Sequence, residues 1–443
     1  MNFAIAQRIL QTSANESVSR RHPGRLDRMR AFLGLIGNPE RWGPSIHVGG
    51  TAGKGSTASM CAAILTAAGY KVGLHTKPHL RSETERARID GIAISEDRFA
   101  QILESMLPAI EHMELTEFGR PSYFEVLVAL AFKYFAEERV DIAVIEVGLG
   151  GTLDGTNVIS PLVSVLTNVG MDHADVLGDT IEAIATDKAG IIKSATPVIT
   201  AADHPDALRV IRAVAVERAA PLLLVREAAR IEPRTGAAYS EAFAVRTARR
   251  EYDIALPVMG EFQLTNTATA ILACEQIESR FPFEAAAVER GLAELALPGR
   301  MEFYPSSPSL LFDVAHNAEK AAALRDGLRR HFSGRRLVFV VAIAEGKDAA
   351  HMLDAWSELP AHFIFTAFDV SHRQPLPPRT LVNMAEQRGQ VARAVEDPIE
   401  ALALARRMAT THDLVVVTGS TFLVARLREW FLDNSGAHDR ARV

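Results

Sequence analysis

Short, almost unbroken apolar runs recur along the chain, separated by longer stretches with helical spacing. The runs are "SIHV" (45–48), "KVGLH" (71–75), "VDIAVIEV" (140–147), "LVSVLTNV" (162–169), "PVIT" (197–200) and "PLLLV" (221–225). They are continuous rather than alternating, which predicts strands buried on both faces of a parallel sheet. Between them, residues 54–69 read as a helix. Phe99, Ile102, Met106 and Ile110 predict a second over 95–113 with Ser95 as N-cap, and Phe124, Leu127, Ala131 and Phe135 a third over 122–136.

Residues 226–258 break this rhythm. They are charged, with alternating pieces such as "AFAVRT" and "YDIALP", and predict a small antiparallel excursion. Helical patterns resume at 261–280 and 284–295, and "LPGR" (297–300) reads as a linker. A second series then begins with "LLFDVAH", "RLVFVVAI", "HFIFTAF" and "DLVVVTGS", and the tail "NSGAHDRARV" reads as frayed. The expected class is α/β with two doubly wound domains. A P-loop-type ATPase domain is expected over 1–296, with the excursion near 226–258, and a smaller Rossmann-like domain over 297–443.

Composition narrows the function. The 443 residues are 48% hydrophobic, and Lys+Arg 48 against Asp+Glu 54 leaves a formal charge of -6. No basic excess points to nucleic acid. Only Cys61 and Cys274 are present, each in an apolar helical context, as expected of buried thiols in a reducing compartment. The N-terminus lacks a basic region before its short apolar run, and no run is long enough to span a bilayer. The expectation is a cytoplasmic monomer acting on small molecules, with neither nucleic acid nor membrane as partner.

The strongest local signal is "HVGGTAGKGSTASM" (47–60), a strand, a glycine-rich turn and a helix. It departs from G-x-x-x-x-G-K-[ST] by one inserted glycine, Gly55, between Lys54 and Ser56. The physics of a phosphate loop persists. Gly50, Gly53 and Gly55 let the backbone curl around an anion, Thr51 lies within the curl, Lys54 offers a positive charge, and Ser56 and Thr57 offer hydroxyls to a metal. Glu146 closes the strand "DIAVIE", where a carboxylate is well placed to hold Mg²⁺. His173, in "TNVGMDH", follows the next strand and is a candidate ligand beside it. Lys188, in "TDKAGIIK", reads on sequence physics alone as a surface lysine.

The ordered set "HVGGTAGKGST", "KVGLHTKPHL", "SYFEVLVALAFKYF", "DIAVIEVGLGGTLDGTNV", "LTNVGMDH", "LGDTIEAIATDKAGIIK", "LPGRMEF", "DVAHN" and "VTGSTFLV" runs from about residue 20 to about residue 430. It resembles the folylpolyglutamate synthase/dihydrofolate synthase family, the folate branch of the Mur ligases. The resemblance implies an ATP-dependent ligase with Mg²⁺ that adds L-glutamate to a folate-type carboxylate through an acyl phosphate. It implies Ser56, Glu146, His173 and Lys188 at the metals, with Lys188 carbamylated and so turned from cation to anion. Lys54, Lys188 and His316 are the implied catalytic residues. Asn266, Arg300 and Asp313 are implied nucleotide contacts. Lys347 and Ser420, with His316, are implied at the glutamate pocket, and Phe124 and Asp154 at the pterin site.

The chain also departs from that pattern. Ala52 stands where the family's T-N-G-K-G has asparagine, and Lys77 where S-P-H-L has serine. Thr152 replaces an arginine, Gly155 an alanine, and Val314 and Ala318 alter "DGAHNP". Several changes fall near the acceptor and metal positions, so a paralogous ligase joining an amino acid to a non-folate carboxylate is the alternative. A P-loop phosphotransferase is a further one, and it needs no amino-acid pocket around Lys347 and Ser420. A non-catalytic binding module is the last; it would tolerate loss of Lys54 or Glu146.

Overall fold

The apolar runs form strands whose successive side chains enter different cores. The computed structural model describes residues 1–12, 24–171, 174–370 and 373–435. They divide into two compact units. The first comprises Met1–Arg234, Phe243–Ala255 and Leu264–Leu295, and the second Thr235–Ala242, Leu256–Gln263 and Ala296–Val443.

The first unit holds eight strands: β1 (Ser45–Gly49), β2 (Val72–His75), β3 (Arg88–Ile89), β4 (Ile92–Ala93), β5 (Ile142–Glu146), β6 (Val163–Leu166), β7 (Val198–Thr200) and β8 (Leu222–Leu224). Their order is β4-β3-β2-β5-β1-β6-β7-β8. The six strands from β2 to β8 run parallel, and β3 and β4 add an antiparallel edge hairpin. Ala143 and Ile145 of β5 join one core with Phe32, Phe99, Phe132 and Phe135. Leu166 of β6 and Val198 of β7 join another with Ile184, Ile191 and Ile211. Burial on both faces explains why these runs do not alternate. The helices begin where the pattern places them. Ser95 accepts from Arg98 N–H, and Ser122 and Glu125 form a capping box at the start of Tyr123–Glu137.

The charged stretch forms β9 (Ala229–Pro233), β10 (Glu241–Thr247) and β11 (Glu251–Leu256), with β10 central and antiparallel to β9. The second unit is built on β12 (Glu302–Tyr304), β13 (Ser309–Phe312), β14 (Leu337–Val341), β15 (Ala361–Phe365), β16 (Val391–Ala394) and β17 (Leu414–Thr418), in the order β12-β13-β17-β14-β15-β16. Only β12 is antiparallel to its neighbour. Leu337, Phe339 and Val341 enter one core while Val338 and Val340 enter the other.

One expectation changes. "LPGR" is not a loose linker: Leu297 and Met301 are buried, and Gly299 carbonyl accepts from Val314 N–H at 2.8 Å. The tail from residue 436 lies outside the described residues. Both cysteines are buried, and among the described residues no helix is long and apolar enough to cross a membrane.

The helix Ala285–Ala293 packs on the helix Lys54–Ala67 through Gly291, where a Cβ would come 2.4 Å from Ala63 carbonyl oxygen. We expect Gly291→Ala to destabilise the protein by about 1–3 kcal/mol, because overpacking against backbone outweighs the ~1 kcal/mol gain in helix propensity. Urea unfolding followed by circular dichroism measures it.

Candidate active site

The site starts from backbone that no side chain permits. Gly50 follows β1 at φ +132°, and a Cβ there would lie 2.1 Å from Thr167 Oγ1. Gly53, at φ +80°, is the N-cap of Lys54–Ala67, and its Cβ would meet Asn266 Oδ1 at 2.4 Å. Asn266 is therefore brought against the glycine turn. The turn is strapped to the segment after β6. Thr51 N–H donates to Asn168 carbonyl (2.9 Å), Ala52 N–H to Asn168 Oδ1 (2.6 Å), and Thr167 Oγ1 to Ala52 carbonyl (2.5 Å). Asn168 was not singled out from the sequence; its only signal was its place after an apolar strand.

Two lysines converge on one carbonyl. Lys54 Nζ donates to Gly50 O at 2.8 Å and to Thr51 O at 3.1 Å, while Lys188 Nζ donates to Gly50 O at 3.0 Å. Lys188 is 3% exposed in the last turn of Ile181–Ala189, which overturns its reading as a surface residue. Gly55, Ser56 and Thr57 lie buried in the first turn of the loop helix, and Thr57 Oγ1 has no partner.

Glu146 is buried at the end of β5, paired in register with Val48 of β1. Its Oε2 accepts from Lys77 N–H at 2.9 Å. The Lys77 ammonium is pushed down to about 8 by burial and by Lys54, against the pull of Glu146 and Asp154. His173 lies outside the described residues. Among the described residues no group of three or more His, Cys, Asp or Glu side chains is placed to hold a metal ion. The donors on hand are hydroxyls and one carboxylate. Oxygen donors with an unpaired buried hydroxyl suit a hard cation that keeps waters and shares substrate phosphates.

Phe124 and Asp154 meet at Gly148, where a Cβ would touch Phe124 Cζ at 2.3 Å and Asp154 Oδ2 at 2.8 Å. Asp154 is bound into its own loop: Oδ1 accepts from Thr156 N–H (3.0 Å) and Oγ1–H (2.6 Å), and Oδ2 from Leu149 N–H (2.8 Å). Two buried histidines flank this loop. His47 Nε2 bonds Thr156 Oγ1 at 2.9 Å, and the His75 ring lies 6.2 Å from that of Phe124.

In the second unit, Asp313 follows β13. Its Oδ2 accepts from Met301 N–H (2.9 Å) and its Oδ1 from Ala315 N–H (2.8 Å). Burial pushes its carboxyl up to about 6, with those two bonds and Arg300 opposing. His316 pairs Nδ1 with Val314 carbonyl at 2.8 Å, so Nε2 accepts from Lys320 Nζ at 3.2 Å. Arg300, Asp313 and His316 thus share one corner. β14 and β17 are in register at Val341↔Thr418, so the loops carrying half-buried Lys347 and buried Ser420 leave the same end of the sheet. Ser420 Oγ caps the helix Thr421–Ser435, accepting from Phe422 N–H at 3.2 Å.

A glycine turn at a helix start, backed by lysines and a strand-end carboxylate, has counterparts among known proteins, and they define a class. The Mur ligase middle domain matches residues 48–274, and the Mur ligase glutamate ligase domain matches 299–421. Dihydrofolate synthase/folylpolyglutamate synthase of Bacillus subtilis is 34% identical over 413 residues, covering 92% of this chain and 94% of the relative. Mycobacterium tuberculosis folylpolyglutamate synthase complexed with ADP superposes with TM-score 0.88 at 31% identity, covering 97% of this chain and 98% of that one. Escherichia coli FolC in complex with DHPP and ADP superposes with TM-score 0.86 at 27% identity, covering 99% of both chains. The chain belongs to the folylpolyglutamate synthase/dihydrofolate synthase family of Mur ligases.

The buried histidines set an acid limit. Burial pushes His47 down to about 3 and His75 to about 4, so both stay neutral in the folded chain while the unfolded chain protonates them near 6.5. Their contribution is complete above pH 6.5 and is lost as pH falls toward the folded values. From pH 7 to pH 5 we expect a loss of about 2 kcal/mol per histidine in the ligand-free protein, and about 2 kcal/mol less in His47→Gln. Urea midpoints at the two pH values test this.

Proposed function

We propose that this chain joins L-glutamate to a folate-type carboxylate, dihydropteroate, tetrahydrofolate or both, with ATP converted to ADP and phosphate. The single observation that carries the reading is the convergence of Lys54 and Lys188 on Gly50 carbonyl, at a helix N-terminus built for an anion. The B. subtilis relative, named for both activities, and the ADP complexes of two relatives support it.

In this reading a carboxylate oxygen of the acceptor attacks the γ-phosphorus, the bond to ADP breaks, and an acyl phosphate forms. The amine of glutamate then attacks the acyl carbon and phosphate leaves, giving the amide. Nearly all of this is positioning and charge neutralisation. Lys54 moves from Gly50 carbonyl to the β- and γ-phosphates. The loop N–H groups and Asn266 hold the nucleotide, and the resemblance implies nucleotide contacts at Arg300 and Asp313. Ser56, Glu146, His173 and a carbamylated Lys188 would hold Mg²⁺, which would offset the negative charge gathering on the phosphates. His316, Lys347 and Ser420 receive glutamate, where a cation suits its carboxylate. Phe124 offers a face to an acceptor ring.

A non-folate acceptor stands as the second reading, because the Asp154 oxygens are already engaged by Leu149 and Thr156 and because Lys77 replaces the family's serine. The deciding experiment is phosphate release with ATP, titrated Mg²⁺ and glutamate against a panel of carboxylates, dihydropteroate and tetrahydrofolate first. Release that needs both glutamate and a folate supports the proposal. Release with neither amino acid nor acceptor identifies a simple NTPase instead.

The resemblance implies a carbamate on Lys188, and the buried position of Nζ beside Gly50 carbonyl supports a role at the phosphates. We expect Lys188→Ala to lower kcat on the order of 10²-fold, with partial recovery when formate or acetate supplies the missing anion. Undiminished turnover in Lys188→Ala removes that role.

A further inference from the structure

The turn 297–301 is held more firmly than a connection requires. Gly299 lies at φ +67° and Met301, which carries a side chain, at φ +45°. Arg300 therefore sits between two left-handed residues, and both flanking N–H groups end on carboxylates. Gly299 N–H donates to Glu302 Oε2 at 2.9 Å, and Met301 N–H to Asp313 Oδ2 at 2.9 Å. The Met301 side chain is buried in the core of the second unit, alongside Leu311 and Leu324. Little backbone freedom is left at Arg300, whose Nη1 donates to Pro298 carbonyl at 3.2 Å.

Glu302 is itself gripped from a distant part of the sequence. Arg428, on the helix Thr421–Ser435, closes on it as a fork, Nε to Oε2 at 2.6 Å and Nη2 to Oε1 at 2.7 Å. Tyr304 O–H adds a bond to Oε1 at 2.6 Å. The Arg428 and Glu302 side chains are only 7% and 14% exposed. A two-pronged, desolvated pair of this kind fixes geometry in a way an exposed pair does not. One carboxylate oxygen, Oε2, is held by Arg428 and in turn holds Gly299.

We propose that Arg428, acting through Glu302, is a positioning residue that fixes the turn presenting Arg300 and so sets affinity for the nucleotide. The inference rests on the reading of Arg300 as a nucleotide contact.

The test is a double-mutant cycle of Arg300→Ala, Arg428→Met and both together, read as KM for ATP, Kd for ADP by calorimetry, and KM for glutamate. Arg300→Ala and Arg428→Met should each raise KM for ATP and Kd for ADP by roughly tenfold to a hundredfold, with KM for glutamate little changed. The double variant should be no worse than Arg300→Ala, because Arg428 acts only through that side chain. Arg428→Lys keeps the charge without the fork and should fall between wild type and Arg428→Met; it replaces Arg428→Met in the cycle if that variant does not fold. Effects that multiply in the double variant, or a normal Kd for ADP in the Arg428 variants beside a weakened Arg300→Ala, overturn the positioning role. Unchanged nucleotide affinity in Arg300→Ala overturns the underlying reading of Arg300 and the inference with it.

Discussion

The candidate site depends on there being no side chain at residue 50. β1 and β6 are neighbours, and their pairing brings Thr167 to where a Cβ on Gly50 would stand. With only hydrogen there, the chain turns at φ +132°, and Gly50 carbonyl becomes the acceptor for Lys54 and Lys188. The same closeness lets Thr167 and Asn168 hold Thr51 and Ala52 by hydrogen bonds. The turn is thus shaped before any ligand arrives, which lowers the ordering cost of binding.

Charge gives that shape its direction. Burial lowers the affinity of the Lys77 ammonium for its proton, and repulsion from the Lys54 charge lowers it further. An anion bound among them relieves the repulsion, so the lysines and the helix N-terminus favour the same ligand. Glu146, held by Lys77 N–H, is the counterweight on the neighbouring strand.

Most of the fold was legible in the residues. A strand covered on both faces needs apolar side chains at every position, and β5, β14 and β17 announce themselves that way. The edges did not. The hairpin β3–β4 has two-residue strands, and β16 is largely exposed and carries Arg393. Such segments form because a neighbour offers its open backbone, not because their own pattern demands it. The turn at "LPGR" read as a linker because the groups that pin it, Glu302, Asp313 and Val314, follow it in sequence and reach back only once β12 and β13 have paired.

Local order was therefore determined by the sequence itself: strand and helix positions, the glycine turn at Gly50 and Gly53, the caps at Ser95 and Ser122, and the family. Those features come from neighbours a few residues apart, where spacing and backbone freedom decide the outcome. The tertiary structure alone decided that Lys188 is buried against a carbonyl 138 residues away, that Asn266 lies on Gly53, and that Arg428 holds Glu302 from 126 residues away. A single chain's residues do not carry distances across a sheet. Pairing of strands far apart in sequence creates them, and burial then makes each polar group find its partner or go without.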